Sequence, residues 1–360
     1  MLNSVIFSFF SGSGFLDLGF EKAGFDVVFV NEINKSFINA YEYSRQLMGH
    51  SIPKYGYHTG SIDDYLEERD ECSLAESVKA EQASGKLVGF VGGPPCPDFS
   101  VGGKNKGQAG ENGKLSQSYI DCIKKFEPDW FVFENVKGLW RTKKHREFYE
   151  SLKSELSNAG YVLDNRLINS LEFGVAQDRD RIILFGIKKT KINSEAKFEW
   201  EKYMKYPNGV AFNFDWPGTN KFGETPTFPA DFPEDLTIQY WFNKNEVETH
   251  PNAKAHFTPR AGLAKFLVIE EGDTSKKSYK RLHRYRYSPT AAYGNNEVHL
   301  HPYKARRLSA AEALAIQSLP KEFQFPQEMT LSAMFKTIGN GVPYLFSYGI
   351  ASTIKDYLEM

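Results

Sequence analysis

Two prolines precede a cysteine in Gly92-Gly93-Pro94-Pro95-Cys96-Pro97-Asp98-Phe99-Ser100, directly after the apolar run Leu87 to Val91. A thiol held rigidly at the end of a strand is a candidate nucleophile, since an exposed thiolate attacks electrophilic carbon. The plainer alternative is a small buried side chain. The segment behind it, Val101 to Gly113, holds five glycines and suits a flap that closes over a substrate. A carboxylate ends a second apolar run, Phe131-Val132-Phe133-Glu134-Asn135-Val136. There it can protonate or hydrogen-bond a heterocycle held against Cys96, or satisfy loop amides. Arg179 and Arg181, in Gln177-Asp178-Arg179-Asp180-Arg181, share a face by period-two alternation. Such a pair clamps a polar substrate or neutralises neighbouring carboxylates.

A second set of residues suits a cofactor. The strand-like Val5 to Phe10 runs into Ser11-Gly12-Ser13-Gly14 and then into a helical pattern, Leu16 to Ala23. Glycines at such a turn let backbone amides approach a ligand, and the helix start behind them favours polar or anionic groups. The spacing falls short of a full GxGxxG, so a tight turn without a ligand is an equal reading. Glu32 ends the next apolar run, Val27 to Asn31, about 20 residues after the glycines, where a carboxylate accepts hydrogen bonds from ribose hydroxyls. Together these features point to an adenosine-containing cofactor. The three cysteines, Cys72, Cys96 and Cys122, are too few for a four-ligand zinc cage, so no metal is expected. Their odd number and wide spacing argue for a reducing, cytoplasmic setting.

These residues need a scaffold. Val5 to Phe10, Val27 to Asn31, Leu87 to Val91, Trp130 to Phe133 and Ile182 to Ile187 are strand candidates, separated by stretches long enough for crossover helices. The alternation predicts an α/β fold with a doubly wound, mostly parallel sheet and helices on both faces. From about Lys189 to Arg307 the pattern turns to scattered aromatics, prolines and charges, which reads as a second, smaller irregular domain. From Leu308 to Met360 it returns to helix, with Ser309 as an N-cap and Glu312 at the capping-box position.

The chain has 360 residues and a net charge of -1, and no apolar run approaches the ~20 residues of a membrane span. Met1-Leu2-Asn3-Ser4 does not begin a signal peptide. Charge is uneven along the chain. Residues 276 to 307 hold nine basic residues, among them Lys276, Lys280, Arg281, Arg284, Arg286 and Arg307, against Glu297 alone, and they are interleaved with tyrosines. Residues 63 to 76 are strongly acidic. The basic stretch is a candidate nucleic-acid face; a solvated surface is the alternative.

Taken in order, Phe10-Ser11-Gly12-Ser13-Gly14, Pro94-Pro95-Cys96, Glu134-Asn135-Val136, Gln177-x-Arg179-x-Arg181, Arg307-Leu308-Ser309-x3-Ala313 and Ile338-Gly339-Asn340-Gly341-Val342-Pro343 resemble the DNA cytosine-5 methyltransferase family, of the bacterial or phage restriction-modification type. The resemblance implies a Rossmann-like fold that binds S-adenosyl-L-methionine, formed by 1–188 and 308–360, with a target-recognition domain at 189–307. It implies Cys96 as nucleophile at carbon 6 of a flipped-out cytosine, Glu134 at N3 and the exocyclic amine, Arg181 at O2 and Arg179 in the same pocket. It further implies cofactor contacts by Phe10, Gly12, Gly14, Glu32, Ile33, Ile62, Pro95, Asn340 and Val342. Gly60-Ser61-Ile62 occupies the place of the family's Gly-Asp-Ile, and Ser8 that of a usual Asp. The partners implied are double-stranded DNA and a separately acting restriction endonuclease, with the protein a monomer. Two alternatives stay open at this point: a transfer-RNA cytosine methyltransferase, whose Cys-Phe-Thr signature is missing here, and a non-catalytic DNA-binding regulator. A nicotinamide dehydrogenase is disfavoured, because nothing after Glu32 suggests a hydride acceptor site.

Overall fold

The computed structural model describes residues 3–67, 73–95, 111–192, 197–229, 232–259, 262–276, 278–291, 293 and 298–360. Cys96, the loop 101–110, Cys72, Lys277 and part of the acidic run lie outside the described residues.

Seven strands form the central sheet: β1 (Ser4–Phe9), β2 (Asp26–Asn31), β3 (Tyr57–His58), β4 (Leu87–Gly92), β5 (Trp130–Val136), β6 (Tyr161–Asn169) and β7 (Asp180–Lys188). Their order is β3-β2-β1-β4-β5-β7-β6. The first five run parallel, and β7 is antiparallel to both of its neighbours. The expected strands are present. β6 was not foreseen: it is an edge strand whose half-exposed centre, Asp164-Asn165-Arg166, hides the apolar pattern.

All six residues of β1 are buried, as a strand covered on both faces requires. Val5, Phe7 and Phe9 join Phe90, Phe131 and Phe133 in one core, while Ile6 joins Val91, Trp130 and Val132 in the other. The first core is covered by α3 (Ile62–Leu66), α4 (Leu74–Ala83), α5 (Glu111–Phe126) and α7 (Lys143–Asn158), which follows the short α6 (Gly138–Arg141). The second is covered by α1 (Phe15–Ala23), α2 (Lys35–Leu47) and the C-terminal α12 (Tyr344–Glu359). Two smaller helices, α8 (Ile238–Lys244) and α9 (Leu263–Val268), belong to the irregular region, and α10 (Ala310–Ile316) and α11 (Leu331–Asn340) lead back to the sheet. Ser309 caps α10 as expected: its hydroxyl accepts the Glu312 amide, and the Glu312 carboxylate takes the Ser309 N–H.

Residues 189–307 share no single core. Ile238, Trp241 and Phe242 pack with Ala311, Ala315 and Ile316 of α10; Leu171, Ala211 and Leu236 form a second group, and Phe266, Ile269 and Leu300 a third. Strand order reverses between β1 and β4, and in open α/β sheets a ligand crevice forms at the carboxyl ends of the strands there.

Candidate active site

At that reversal point lies a cleft of about 1390 Å³. One wall begins at the end of β1. Phe10 has φ 53°, a left-handed conformation that is strained for a bulky residue, and its ring meets Tyr119 edge-on at 6.1 Å. Gly14 carries the turn into α1 at φ 80°, and a Cβ there would lie 2.5 Å from the Tyr41 ring, so only glycine fits. The turn is tied to β2 by Glu32. Its Oε2 accepts the Gly12 amide at 2.9 Å and its Oε1 accepts the Asn34 amide at 2.8 Å. Burial raises the Glu32 pKa, while those two amides pull it down. Beside it, Ile33 is 67% exposed, an unusual placement for isoleucine and one that presents an apolar surface to the cleft. Ile62 is buried at the start of α3. Ser61 caps that helix in a reciprocal pair with Asp64, so here the residue in the family's Asp position serves the backbone.

The opposite wall is built on β4 and β5. Glu134 is 7% exposed and its Oε1 lies 2.7 Å from Arg181 Nε. Burial raises the Glu134 pKa, and Arg181 and Arg179 oppose that rise. Gly93 leaves room for this carboxylate: a Cβ there would sit 2.6 Å from Glu134 Oε2. Pro94 and Pro95 follow on the cleft wall, leading directly to position 96. Arg179 is fully buried and donates to the Gly339 carbonyl at 2.8 Å, which joins the entry to β7 with the end of α11. Desolvation holds its pKa well below the usual guanidinium range. Gln317 reinforces the junction, its Nε2 donating to Gln177 Oε1 at 3.3 Å and to the Ile338 carbonyl at 3.2 Å. A side chain at Gly341 would strike the Phe15 ring at 2.3 Å, so the turn that presents Asn340 and Val342 packs directly on the start of α1.

The cleft thus brings together Phe10, Gly12, Glu32, Ile33, Ile62, Pro95, Glu134, Arg179, Arg181, Asn340 and Val342. Gly14 stands behind its wall, against Tyr41 and Arg45. Tyr293, one of the tyrosines interleaved with the basic stretch, also lines this space. Sequence reading missed Asp17, Lys336 and Thr337, which line it too: Asp17 looks like any acidic residue in a first helical turn, and the other two sit in unremarkable local patterns.

The basic stretch divides in two. Arg281 is completely buried and donates to the carbonyls of Ile269, His301, Lys304 and Phe266. Arg284 is paired bidentately with Glu271 at 2.8 and 2.7 Å, and Arg306 with Glu312 at 2.8 and 2.6 Å. These three brace the irregular region from within, whereas Lys280 and Arg307 reach the cleft. Among the described residues, Glu248, His301 and Glu312 converge as a metal site would. Their charges are already matched, by Lys304 on Glu248 and Arg306 on Glu312, and His301 Nδ1 accepts the Tyr303 and Lys304 amides.

A sequence model of the C-5 cytosine-specific DNA methylases matches residues 5–356. The chain belongs to this family. The methylase is 62% identical over 356 residues to the Type II methyltransferase M.NmeDI of Neisseria meningitidis serogroup C, covering 99% of this chain and 84% of that one. It is 30% identical over 363 residues to the Type II methyltransferase M.FnuDI of Fusobacterium nucleatum, covering 98% and 94% of the two chains. A DNA modification methyltransferase encoded within an E. coli prophage shares the fold at a TM-score of 0.69 and 22% identity, covering 99% of this chain and 100% of that one. So does the S. pombe Dnmt2 methyltransferase at 0.61 and 14%, covering 99% and 98%. The methylase is therefore an enzyme that methylates carbon 5 of cytosine in DNA. No helix among its described residues is long and apolar enough to cross a membrane.

Proposed function

We propose that the methylase transfers the methyl group of S-adenosylmethionine to a cytosine flipped out of a specific duplex sequence, through a covalent Cys96 adduct at carbon 6. The observation that carries this reading is the buried Glu134–Arg181 pair at the sheet edge, placed behind Gly93, which precedes Cys96 in the chain by three positions. An acidic group of raised pKa is suited to share a proton with cytosine N3, and the ring thereby becomes electrophilic at carbon 6. The Cys96 thiolate adds there, and the electron density gained at carbon 5 makes that atom nucleophilic. S-adenosylmethionine, when bound, would supply an electrophilic methyl group to carbon 5, its sulfonium–methyl bond breaking to leave S-adenosylhomocysteine. Loss of the carbon-5 proton and elimination of Cys96 then restore the aromatic ring. Arg181, next to Glu134, is positioned to hold cytosine O2. Arg179 donates to the Gly339 carbonyl and so holds the pocket to the C-terminal turn. None of these atoms of cytosine is reachable inside a duplex, so the base must leave the stack.

The cleft fits the donor. Ile33 and Phe10 offer apolar surface for adenine, and Glu32 retains lone pairs beyond its two backbone bonds for ribose hydroxyls. Pro95, Ile62, Asn340 and Val342 complete the wall, and Gly12 and Gly14 set the turn for the methionine end. We assign target recognition to 189–307, supported by Lys280, Thr290, Tyr293 and Arg307 lining the same cleft. We further propose that the protein acts in the cytoplasm as a monomer, alongside a separate restriction endonuclease of the same specificity.

The test is expression in a host without cytosine methylation, with 5-methylcytosine mapped by chemical conversion sequencing. Methylation at one short sequence, absent from the Cys96→Ala strain, is the expected result. Methylation persisting in that variant, or found in RNA instead of DNA, overturns the proposal.

A further inference from the structure

The buried charges behind the Ser11–Gly14 turn do not balance. Asp17, in the first turn of α1, is 1% exposed and lines the cleft. Among the described residues, the cation that acts on it is Arg45 of α2, which is already engaged: Nε pairs with Glu21 at 2.7 Å, and Nη2 donates to the Gly14 carbonyl at 2.6 Å. His50 adds positive charge only when protonated, and it faces Glu21 at 3.3 Å. The hydroxyls of Ser8 on β1 and Tyr41 on α2 face Asp17, yet neither of its oxygens completes a well-formed hydrogen bond among the described residues. Tyr57 and Tyr119, the other titratable neighbours, are held neutral by burial. Two carboxylates therefore stand against one guanidinium in a low-dielectric wall, an arrangement that is costly unless something brings a cation to it.

We propose that Asp17 is the counter-charge for the ammonium group at the amino-acid end of the methyl donor. The proposal rests on S-adenosylmethionine being that donor. Asp17 lines the cleft together with Ser11, Gly12 and Ser13 of the glycine turn, the turn assigned above to the methionine end of the donor. An ammonium brought there neutralises the excess charge. Without it, burial pushes the Asp17 carboxyl up to about 6. The position was hidden in the sequence because an acidic residue in a first helical turn is accounted for by the helix dipole alone.

Calorimetric titration of the full-length protein with two ligands tests this. S-adenosylhomocysteine keeps the ammonium, whereas 5′-methylthioadenosine keeps the adenosine and sulfur but lacks the amino-acid end. Asp17→Asn is expected to weaken S-adenosylhomocysteine about 10-fold or more and to leave 5′-methylthioadenosine within about 2-fold, since one lost charged contact corresponds to roughly a decade of affinity. In the wild type, S-adenosylhomocysteine affinity should fall as pH drops from 7 to 5. The variant should show a smaller fall over the same range. Unchanged S-adenosylhomocysteine affinity in the variant, or an equal loss for both ligands, overturns the role of Asp17. Failure of the wild type to bind either ligand overturns the donor assignment itself.

Discussion

In the sheet, β1 bonds along its length to β2 on one side and β4 on the other, so its buried backbone is satisfied by a regular ladder. In 189–307 the carbonyls of Ile269, His301, Lys304 and Phe266 have no such ladder and converge instead on the single side chain of Arg281. The two regions meet the same requirement, that buried polar groups be paired, in opposite ways. A ladder spreads the task over many residues and tolerates substitution at each. A hub concentrates it, so the irregular region frees its outer surface for contact while depending on one guanidinium.

The sharpest way to break this contrast is Arg281→Met. It removes this donor from the carbonyls of Ile269, His301 and Phe266, while Lys304 keeps the Arg306 amide, and we expect a loss of about 3–5 kcal/mol in unfolding free energy, with early protease cleavage inside 189–307. If 189–307 instead resists protease as the wild type does, the hub account is wrong.

Asp17→Asn tests the sheet half and has the opposite sign. The folded-state carboxyl titrates at about 6 against a usual 3.8, so the folded protein holds its proton more tightly than the unfolded chain does. Stability from this group is therefore full below about pH 3.8 and is lost as pH rises through about 6. Removing the charge should stabilise the ligand-free protein by up to about 3 kcal/mol at pH 7 to 8 and have no effect at pH 3.5. Urea unfolding at the two pH values checks it, and equal effects at both would refute the reading.

Gly93→Ala places a methyl against the Glu134 carboxylate at the sheet edge. Steady-state kinetics on DNA should show kcat/KM down about 100-fold through misplacement of that group, with Tm nearly unchanged. A large Tm drop with normal kcat would mean that Gly93 serves packing alone. At the seam between the regions, Ser309→Ala removes one cap and should cost about 1 kcal/mol by denaturant titration, the smallest effect of the set.

The strands of the sheet were legible because burial on both faces forces near-continuous apolar runs, and the ends of those runs pointed to Glu32 and Glu134 without further information. Strand direction was not: the antiparallel setting of β7 is decided by how β6 and β7 join, which no composition records. Arg281 and Arg284 were misjudged for a related reason. A cluster of arginines and tyrosines reads the same whether its guanidiniums face phosphate or the carbonyls of an irregular core, and only the fold separates Arg281 from Lys280. Asp17 was invisible because its importance lies in a charge imbalance among residues from separate elements, Arg45 and Glu21 included.

The packing of Gly341 on the Phe15 ring also bears on when the enzyme becomes active in its life. One side of the cleft is contributed by the first strand and its turn, the other by Asn340 and Val342, more than 300 positions later in the chain. The two can meet only after everything between them has been synthesised, so a chain that stops short of α11 lacks one side of the cleft. Assembly of the site is thereby coupled to synthesis of the segment through Val342.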